Sequence, residues 1–454
     1  RSPSRGLGDV YKRQVLRVIA NADSQVKDTL QSKVAEARFV RALFYFDLKI
    51  HHKWIPWIDE TLSQEQILTT GNRDLTDQQL WDKIAEDFRF AVNNLPDVQK
   101  DVGRASALSA KALLAKTLLY QAYEQDEQHN VIAINTDKLN EVVKLVTEVE
   151  QSNVYNLHDD YAKNFLVEYE NGVESVFAIQ RSLNDGSPDG RGSWASALNA
   201  PQSGGFGCCG FHVPTENFVN AFKTGADGLP LFETGNNAIY NKDTDAVDPR
   251  LDHTVAMEGK PFKYDANLIH GGDSWSRAPA IYGNYTGMKD LEHPDCDCRG
   301  ENGPFPIFSL NTVLVRFSDV LLWKAEALIE LDRMNEAVPI INRLRQRAAA
   351  STARLNNASI YRIGQYSAFN SKDEARQALR WERRLELGLE GHRFFDLVRW
   401  GIAKESLDQY FLIEKGRKPY LQSAHFTKNK HEYLPIPNLQ INLSGGLYVQ
   451  NPGY

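Results

Sequence analysis

The sequence predicts a mostly α fold: four tetratricopeptide-like helix hairpins forming a scaffold, with a loop-rich insert containing short helices and strands. Three observations predict it. Apolar residues recur at helical spacing in segments before about 152 and after 316. These segments come in pairs split by short turns, so stacked hairpins can bury each other's apolar stripes. Between them glycine density jumps: 17 of the chain's 30 glycines lie from Gly186 to Gly303, and helical period disappears there. The organisation expected is a non-native leader over 1–14 and a single domain over 15–454. Its helix pairs would lie at 24–95, 105–152, 316–350 and 373–412, with the insert at about 153–315.

The elements follow in order. "RSPSRGLGDVYKRQ" (1–14) has neither apolar periodicity nor the hydrophobic segment of an export signal. It reads as a foreign leader on a truncated frame, so any export signal or lipid anchor would be missing with it. Over 31–52, Ala35, Phe39, Ala42, Leu43, Phe46 and Ile50 form one stripe, and Pro56 prevents continuation. A helix at 75–94 has Asp74 or Thr76 as its cap and Leu80, Ile84, Phe88 and Val92 on one face. "SALSAKALLAKTLLYQAYEQ" (106–125) is rich in strong helix formers, and its alanines permit close helix approach. Helix 137–151 buries Leu139, Val142, Val143, Val146 and Val149. After the insert, 316–350 reads as helix, short turn at 332–335 and helix, with Ala325 and Ala337 facing across the turn. The last pair is expected at about 373–389 and 393–412.

Composition narrows the function classes. A net charge of −7 gives no basic field for nucleic acid. No run of 18 apolar residues exists, so no span of a membrane is expected. The four cysteines form two tight pairs, Cys208/Cys209 and Cys296/Cys298. Disulfides stapling long loops, free thiols and a metal site all remain open, although C-C and C-x-C are unusual zinc spacings. Alternating acids at 243–248 could supply calcium oxygens, but neither the twelve-residue loop nor its closing Glu follows. Solvated surface is the expectation there. No metal and no cofactor are expected.

The charges of 380–401 pose the main chemical question. Glu382, Glu386 and Glu390 are spaced by four, with Arg383 and Arg384 between them, and Gly391 is placed to cap the helix in the left-handed region. Downstream, Arg393 faces Asp396 and Asp396 faces Arg399, each at i+3. Acids matched by bases have lowered pKa values, whereas a general acid needs a raised one. The spacing therefore predicts a structural brace and no catalytic residue.

"RWERRLELGLEGHRFFDLVRWG" (380–401) resembles the C-terminal signature of the SusD/RagB family of outer-membrane nutrient-binding lipoproteins. "AEARFVRALFYFDL" (35–48) followed by "IPW", and "ALSAKALLAKTLLY" (107–120), resemble its first two hairpins. "VPTENFVNAFKTGADG" (213–228) and "DPRL" (248–251) are similar to its central landmarks. "LVRFSDVLLWKAEAL" (314–328) with "INRLRQRA" (341–348), then "YLPIPNLQI" and "QNPGY", complete the order. Gly388 departs from the alanine common before "EG", and no cysteine stands where a lipid anchor would. The resemblance implies the structural-signature roles of Glu382, Arg384, Glu386, Glu390, Gly391, Arg393, Asp396 and Arg399. It also implies a helical scaffold docked on a SusC-like TonB-dependent transporter at the cell-surface face of the outer membrane. The insert would bind a glycan, or in some members a peptide, without catalysis. Membrane contact would come only through a lipid anchor missing from this sequence.

Pyranose rings stack on aromatic faces while their hydroxyls need polar partners, and loops on rigid scaffolds commonly carry such residues. The stacking candidates are Trp54, Trp57, Trp194, Trp275, Tyr282 and Tyr285. The polar candidates are Asp59, Asn199, Arg277 and Asn284. Trp57 stands where the family is usually apolar, which favours a core role. Two other functions compete. A glycoside hydrolase needs two carboxylates about 5–10 Å apart in a cleft. A helical-repeat adaptor for proteins leaves the aromatic insert without a purpose.

Overall fold

The computed structural model describes residues 14–23, 29–186, 191–302 and 305–454. The leader expected over 1–14 lies almost wholly outside the described residues. The fold is mostly helical, with strands only as two-stranded pairs among the described residues. Two compact units share the chain. The first holds the described residues up to Val149 with 397–404 and 426–454; the second holds 150–396 and 405–425.

In the first unit, helix Gln31–His52 packs on Asp77–Asn94, which packs on Ala107–Ala122. Phe39 meets Phe88 edge-on at 5.6 Å, as the two apolar stripes require. Ala110, Ala112 and Ala115 are fully buried, which lets these helices approach closely. Lys49 departs from the amphipathic pattern. It is buried on the helix, where its ammonium donates to the Lys53 carbonyl at 3.0 Å and pairs with Asp77. Helix 106–125 is shorter than its pattern suggests, because Tyr123–Gln125 leaves it to pair with strand Val131–Ile134. In helix Thr136–Gln151, Leu145 is buried where Val143 was expected. The C-terminal segment closes this unit: the Asn451 amide donates to the His52 and Leu434 carbonyls, both at 2.8 Å.

Thr76, one of the two expected caps, starts its helix with a full capping box. Its hydroxyl accepts from the Gln79 N–H at 3.2 Å, and the Gln79 side chain accepts from the Thr76 N–H at 2.9 Å. Thr76→Ala is expected to cost about 1 kcal/mol, read as a lower midpoint in urea unfolding.

In the second unit, helix Phe317–Glu330 packs on Met334–Ala350 and on Lys372–Glu386. The short turn between the first two leaves Ala325 and Ala337 both fully buried. The last pair differs from expectation. Helix Lys372–Glu386 ends before Leu389 and Gly391, both of which have positive φ. The segment read as one helix over 393–412 is two, Arg393–Arg399 and Ala403–Arg417, parted at Gly401 with φ +70°. Gly388 has a local reason: a Cβ there would lie 2.2 Å from the Phe218 ring. The insert has its own satellite core, in which Phe206, Phe262, Trp275 and Phe308 pack together.

The cysteines pair within each dyad, Cys208 with Cys209 and Cys296 with Cys298. Loops this short remove little entropy from the unfolded chain, so neither disulfide staples a long loop.

Candidate functional site

The insert is fastened to the helices by buried charge. Glu386, fully buried, accepts from Arg250 at 2.9 Å and Arg316 at 3.0 Å, and also from Arg347. Arg250 further binds Asp248 at 2.8 Å and Glu382 at 2.6 Å. Arg316 reaches Glu174 at 2.7 Å and Glu390 at 2.8 Å. Arg345 joins at Glu382, Arg347 at Glu174 and Lys289 at Glu390. Five acids thus face five bases. Burial alone would raise the Glu386 carboxyl; the Arg347, Arg316 and Arg250 guanidiniums outweigh it and hold it well below the usual range. Glu390 is likewise pulled down to about 2, against burial, by Arg316 and Lys289. Lowered values suit braces and not proton donors.

The remaining signature charges keep the expected attraction of Asp396 for Arg393 and add partners from other segments. The ion pairs that fix Asp396 include Arg383, which binds it at 2.8 Å and Asp319 at 2.7 Å. Arg384 donates to the Asn217 carbonyl at 3.3 Å, and burial lowers its pKa to about 9. Arg393 is half-buried, and desolvation lowers its value to about 10 against the attraction of Asp396. In the first unit, Arg399 stands 4.5 Å over the Tyr120 ring.

The acids at 243–248 are already engaged. Asp248 belongs to the charge network, Asp245 accepts from the Asn241 N–H at 3.0 Å and pairs with Lys223 at 3.1 Å, and Asp243 pairs with Lys242.

The ring candidates divide. In the first unit, Trp54 and Trp57 are buried. Arg73 covers Trp54 at 4.2 Å, and Trp57 packs on Tyr45 at 4.3 Å. Asp59 accepts from the Trp57 indole N–H at 2.9 Å and from Thr61, so it fixes that turn. In the second unit, Trp275 is only 4% exposed. It is a core residue, and not the exposed platform its Gly/Ser-rich loop suggested, because rings from distant segments enclose it. Tyr285 is half-buried and packs against a second core cluster around Phe222 and Leu251. Tyr282 is exposed, edge-on to Tyr420 at 5.7 Å. Nearby, the Asn284 amide donates to Asp273 at 3.0 Å.

Trp194 is the exposed tryptophan of the insert. Ser193 caps the short helix Trp194–Asn199, and the Ser193 N–H donates to the Phe308 carbonyl at 2.8 Å. This ties the helix to strand Phe305–Phe308. Trp194 and Leu198, four apart on one face, are 50% and 47% exposed. Phe211, 49% exposed, lies alongside: its N–H donates to the Leu198 carbonyl at 3.0 Å. The Arg277 guanidinium sits 4.2 Å from the Phe211 ring centroid. Gly210, at φ +68°, makes the turn beneath Phe211, and its Cβ position lies 3.4 Å from Arg277. Asn199, at the helix end, donates to Asp290 at 2.9 Å; burial raises that carboxyl. The structure thus sets Phe211 beside Leu198 and Arg277 against Phe211, with Trp194 one turn from Leu198 on the same helix and Asn199 at its end; Leu198 and Phe211 are residues that sequence reasoning missed. A lone Phe between Gly210 and the polar His212 was the available signal.

Comparisons with known proteins agree with this architecture. The model of the SusD family matches residues 173–454. SusD-like protein P2 of Formosa agariphila is 26% identical over 475 residues, covering 99% of this chain and 81% of that protein. A laminarin-binding SusD-like protein superposes with a TM-score of 0.65 at 22% identity, over 97% of this chain and 83% of that one. A crystal structure with a xylogluco-oligosaccharide gives 0.68 at 20% identity, over 96% and 84%. With its helix hairpins, buried arginine–carboxylate brace and a family match over residues 173–454, the chain belongs to the SusD family.

Proposed function

We propose that this protein binds oligosaccharide without catalysis, at the face formed by Trp194, Leu198 and Phe211 with Arg277 and Asn199. The observation that carries the reading is an exposed aromatic face held on a capped helix and flanked by polar side chains. Exposed apolar surface of this kind marks binding sites, and a ring face beside a guanidinium and an amide matches the C–H face and hydroxyls of a pyranose. Similar proteins with laminarin or a xylogluco-oligosaccharide support a β-glucan class of ligand. Tyr282 and Tyr420 offer a second ring pair for a longer chain. Membership in the family supports surface display on a lipid anchor and delivery to a SusC-like TonB-dependent transporter. The braced carboxylates support the absence of glycosidase turnover.

Calorimetric titration with laminarin and xyloglucan oligosaccharides tests the reading. Phe211→Ala or Trp194→Ala should each weaken binding by about 1 kcal/mol or more, with the unfolding midpoint unchanged. Undiminished affinity in both variants would remove this face, and release of reducing ends would make the protein a hydrolase.

A further inference from the structure

The aromatic face of the insert includes an exposed cation, Arg277, that pairs with no carboxylate among the described residues. Four arginines lie in 191–302: Arg191, Arg250, Arg277 and Arg299. The other three each have an acid. Arg191 pairs with Asp185 at 3.1 Å, Arg250 with Asp248 at 2.8 Å and Arg299 with Glu301 at 2.7 Å. Acids on segments around Arg277 are engaged elsewhere. Asp273, on its own segment, accepts from the Asn284 amide at 3.0 Å, and Asp290 accepts from the Asn199 amide at 2.9 Å.

The guanidinium is nonetheless held in place. It lies 4.2 Å from the Phe211 ring centroid, where the ring quadrupole attracts a cation. The Arg277 stem runs past Gly210: a Cβ there would lie 3.4 Å from the Arg277 Cβ and 3.5 Å from its Cγ. Backbone bonds fix both neighbours. The Gly210 N–H donates to the Ala200 carbonyl at 2.8 Å and the Phe211 N–H to the Leu198 carbonyl at 3.0 Å. A side chain ordered before a ligand arrives has less freedom to lose on binding one.

The surroundings suit negative charge. From Arg191 to Thr215, the stretch that supplies Trp194, Leu198 and Phe211, there is no Asp or Glu, in a chain with 59 acids and a net charge of −7. A carboxylate or sulfate placed at Arg277 meets no acid from that stretch. The planar guanidinium grips either group through two parallel N–H···O bonds, a charge-assisted geometry that a neutral hydroxyl does not offer.

We propose that Arg277 makes this face select glycans with acidic substituents, a uronate carboxylate or a sulfate ester on the sugar that lies on Phe211. Arg277 is then a specificity-determining residue. The inference rests on the oligosaccharide site proposed above and deepens it, from a β-glucan backbone to one that bears charge.

Matched ligands test it: laminarihexaose, its C6-oxidised glucuronate form and its C6 sulfate ester. Calorimetric titration is run at about 150 mM NaCl, where exposed charges more than about 8 Å apart are largely screened. One or both acidic forms should bind at least about five-fold tighter than the neutral one, and the tighter of the two identifies carboxylate or sulfate as the substituent. Arg277→Met should bring the acidic-to-neutral affinity ratio to within two-fold of unity. Arg277→Lys, which keeps the charge without the fork, should retain part of the preference. Thermal melts establish that each variant is folded. A wild-type ratio within two-fold of unity, with neutral ligand still bound and weakened by Phe211→Ala, would overturn the acidic preference and leave the oligosaccharide site standing. A preference undiminished in folded Arg277→Met would overturn the assignment to Arg277. Binding of none of the three ligands would overturn both readings.

Discussion

Glu386→Ala is expected to destabilise the second unit by about 3–5 kcal/mol, the cost of leaving buried charge unpaired. Glu386 is fully buried among Arg250, Arg316 and Arg347. Removing it leaves three buried guanidiniums one carboxylate short: Arg250 keeps Asp248 and Glu382, Arg316 keeps Glu174 and Glu390, and Arg347 keeps Glu174. Glu386→Gln keeps the shape and one acceptor oxygen but not the charge, so it should recover only part of the loss. Urea unfolding followed by tryptophan fluorescence reads both values. Midpoints within about 0.5 kcal/mol of the parent, the range of ordinary surface substitutions, would show that the acids do not brace the fold.

The second large effect is sensitivity to acid. Glu390, Glu386, Glu174 and Asp248 all titrate below their ordinary values in the folded protein, because arginine attraction exceeds the opposing effect of burial. A depressed folded-state pKa contributes stability that is complete above the unfolded value and is lost as pH falls through the folded one. Glu390, at about 2 against an ordinary 4.5, alone accounts for about 3 kcal/mol at neutral pH. The urea midpoint should therefore hold from pH 7 to about pH 5 and fall steeply between about pH 5 and pH 2. A midpoint still level at pH 3 would contradict the pairing.

The helices were legible because their causes are local. Helix 31–52 has the predicted ends, set by an apolar stripe and by Pro56 beyond it. The split of the last helix at Gly401 was less legible, since its flanks both carry helix-forming residues. The brace was legible in kind but not in partners. Spacing within one helix showed acids and bases in balance, yet the bases on Glu386 come from 136, 70 and 39 positions away. Burial of loop tryptophans was invisible for the same reason. Trp275 has few apolar neighbours in sequence, and Phe206, Phe262 and Phe308 arrive through the fold. Phe211 was not legible, because "GFGCCGFH" sets it among glycines and cysteines with no helical or strand period. Its exposure depends on the Leu198 carbonyl and Gly210, which no periodicity reveals.

The proposed function implies a division of labour in which buried charge fixes the insert and the exposed rings read the ligand. The most direct check measures unfolding free energy and oligosaccharide affinity side by side for Glu386→Gln and Phe211→Ala. The two variants should cross, with Glu386→Gln losing stability while its folded fraction binds within two-fold of the parent, and Phe211→Ala losing affinity at full stability. Loss of affinity in a fully stable Glu386→Gln, together with unimpaired binding by Phe211→Ala, would place recognition among the acids and contradict the division.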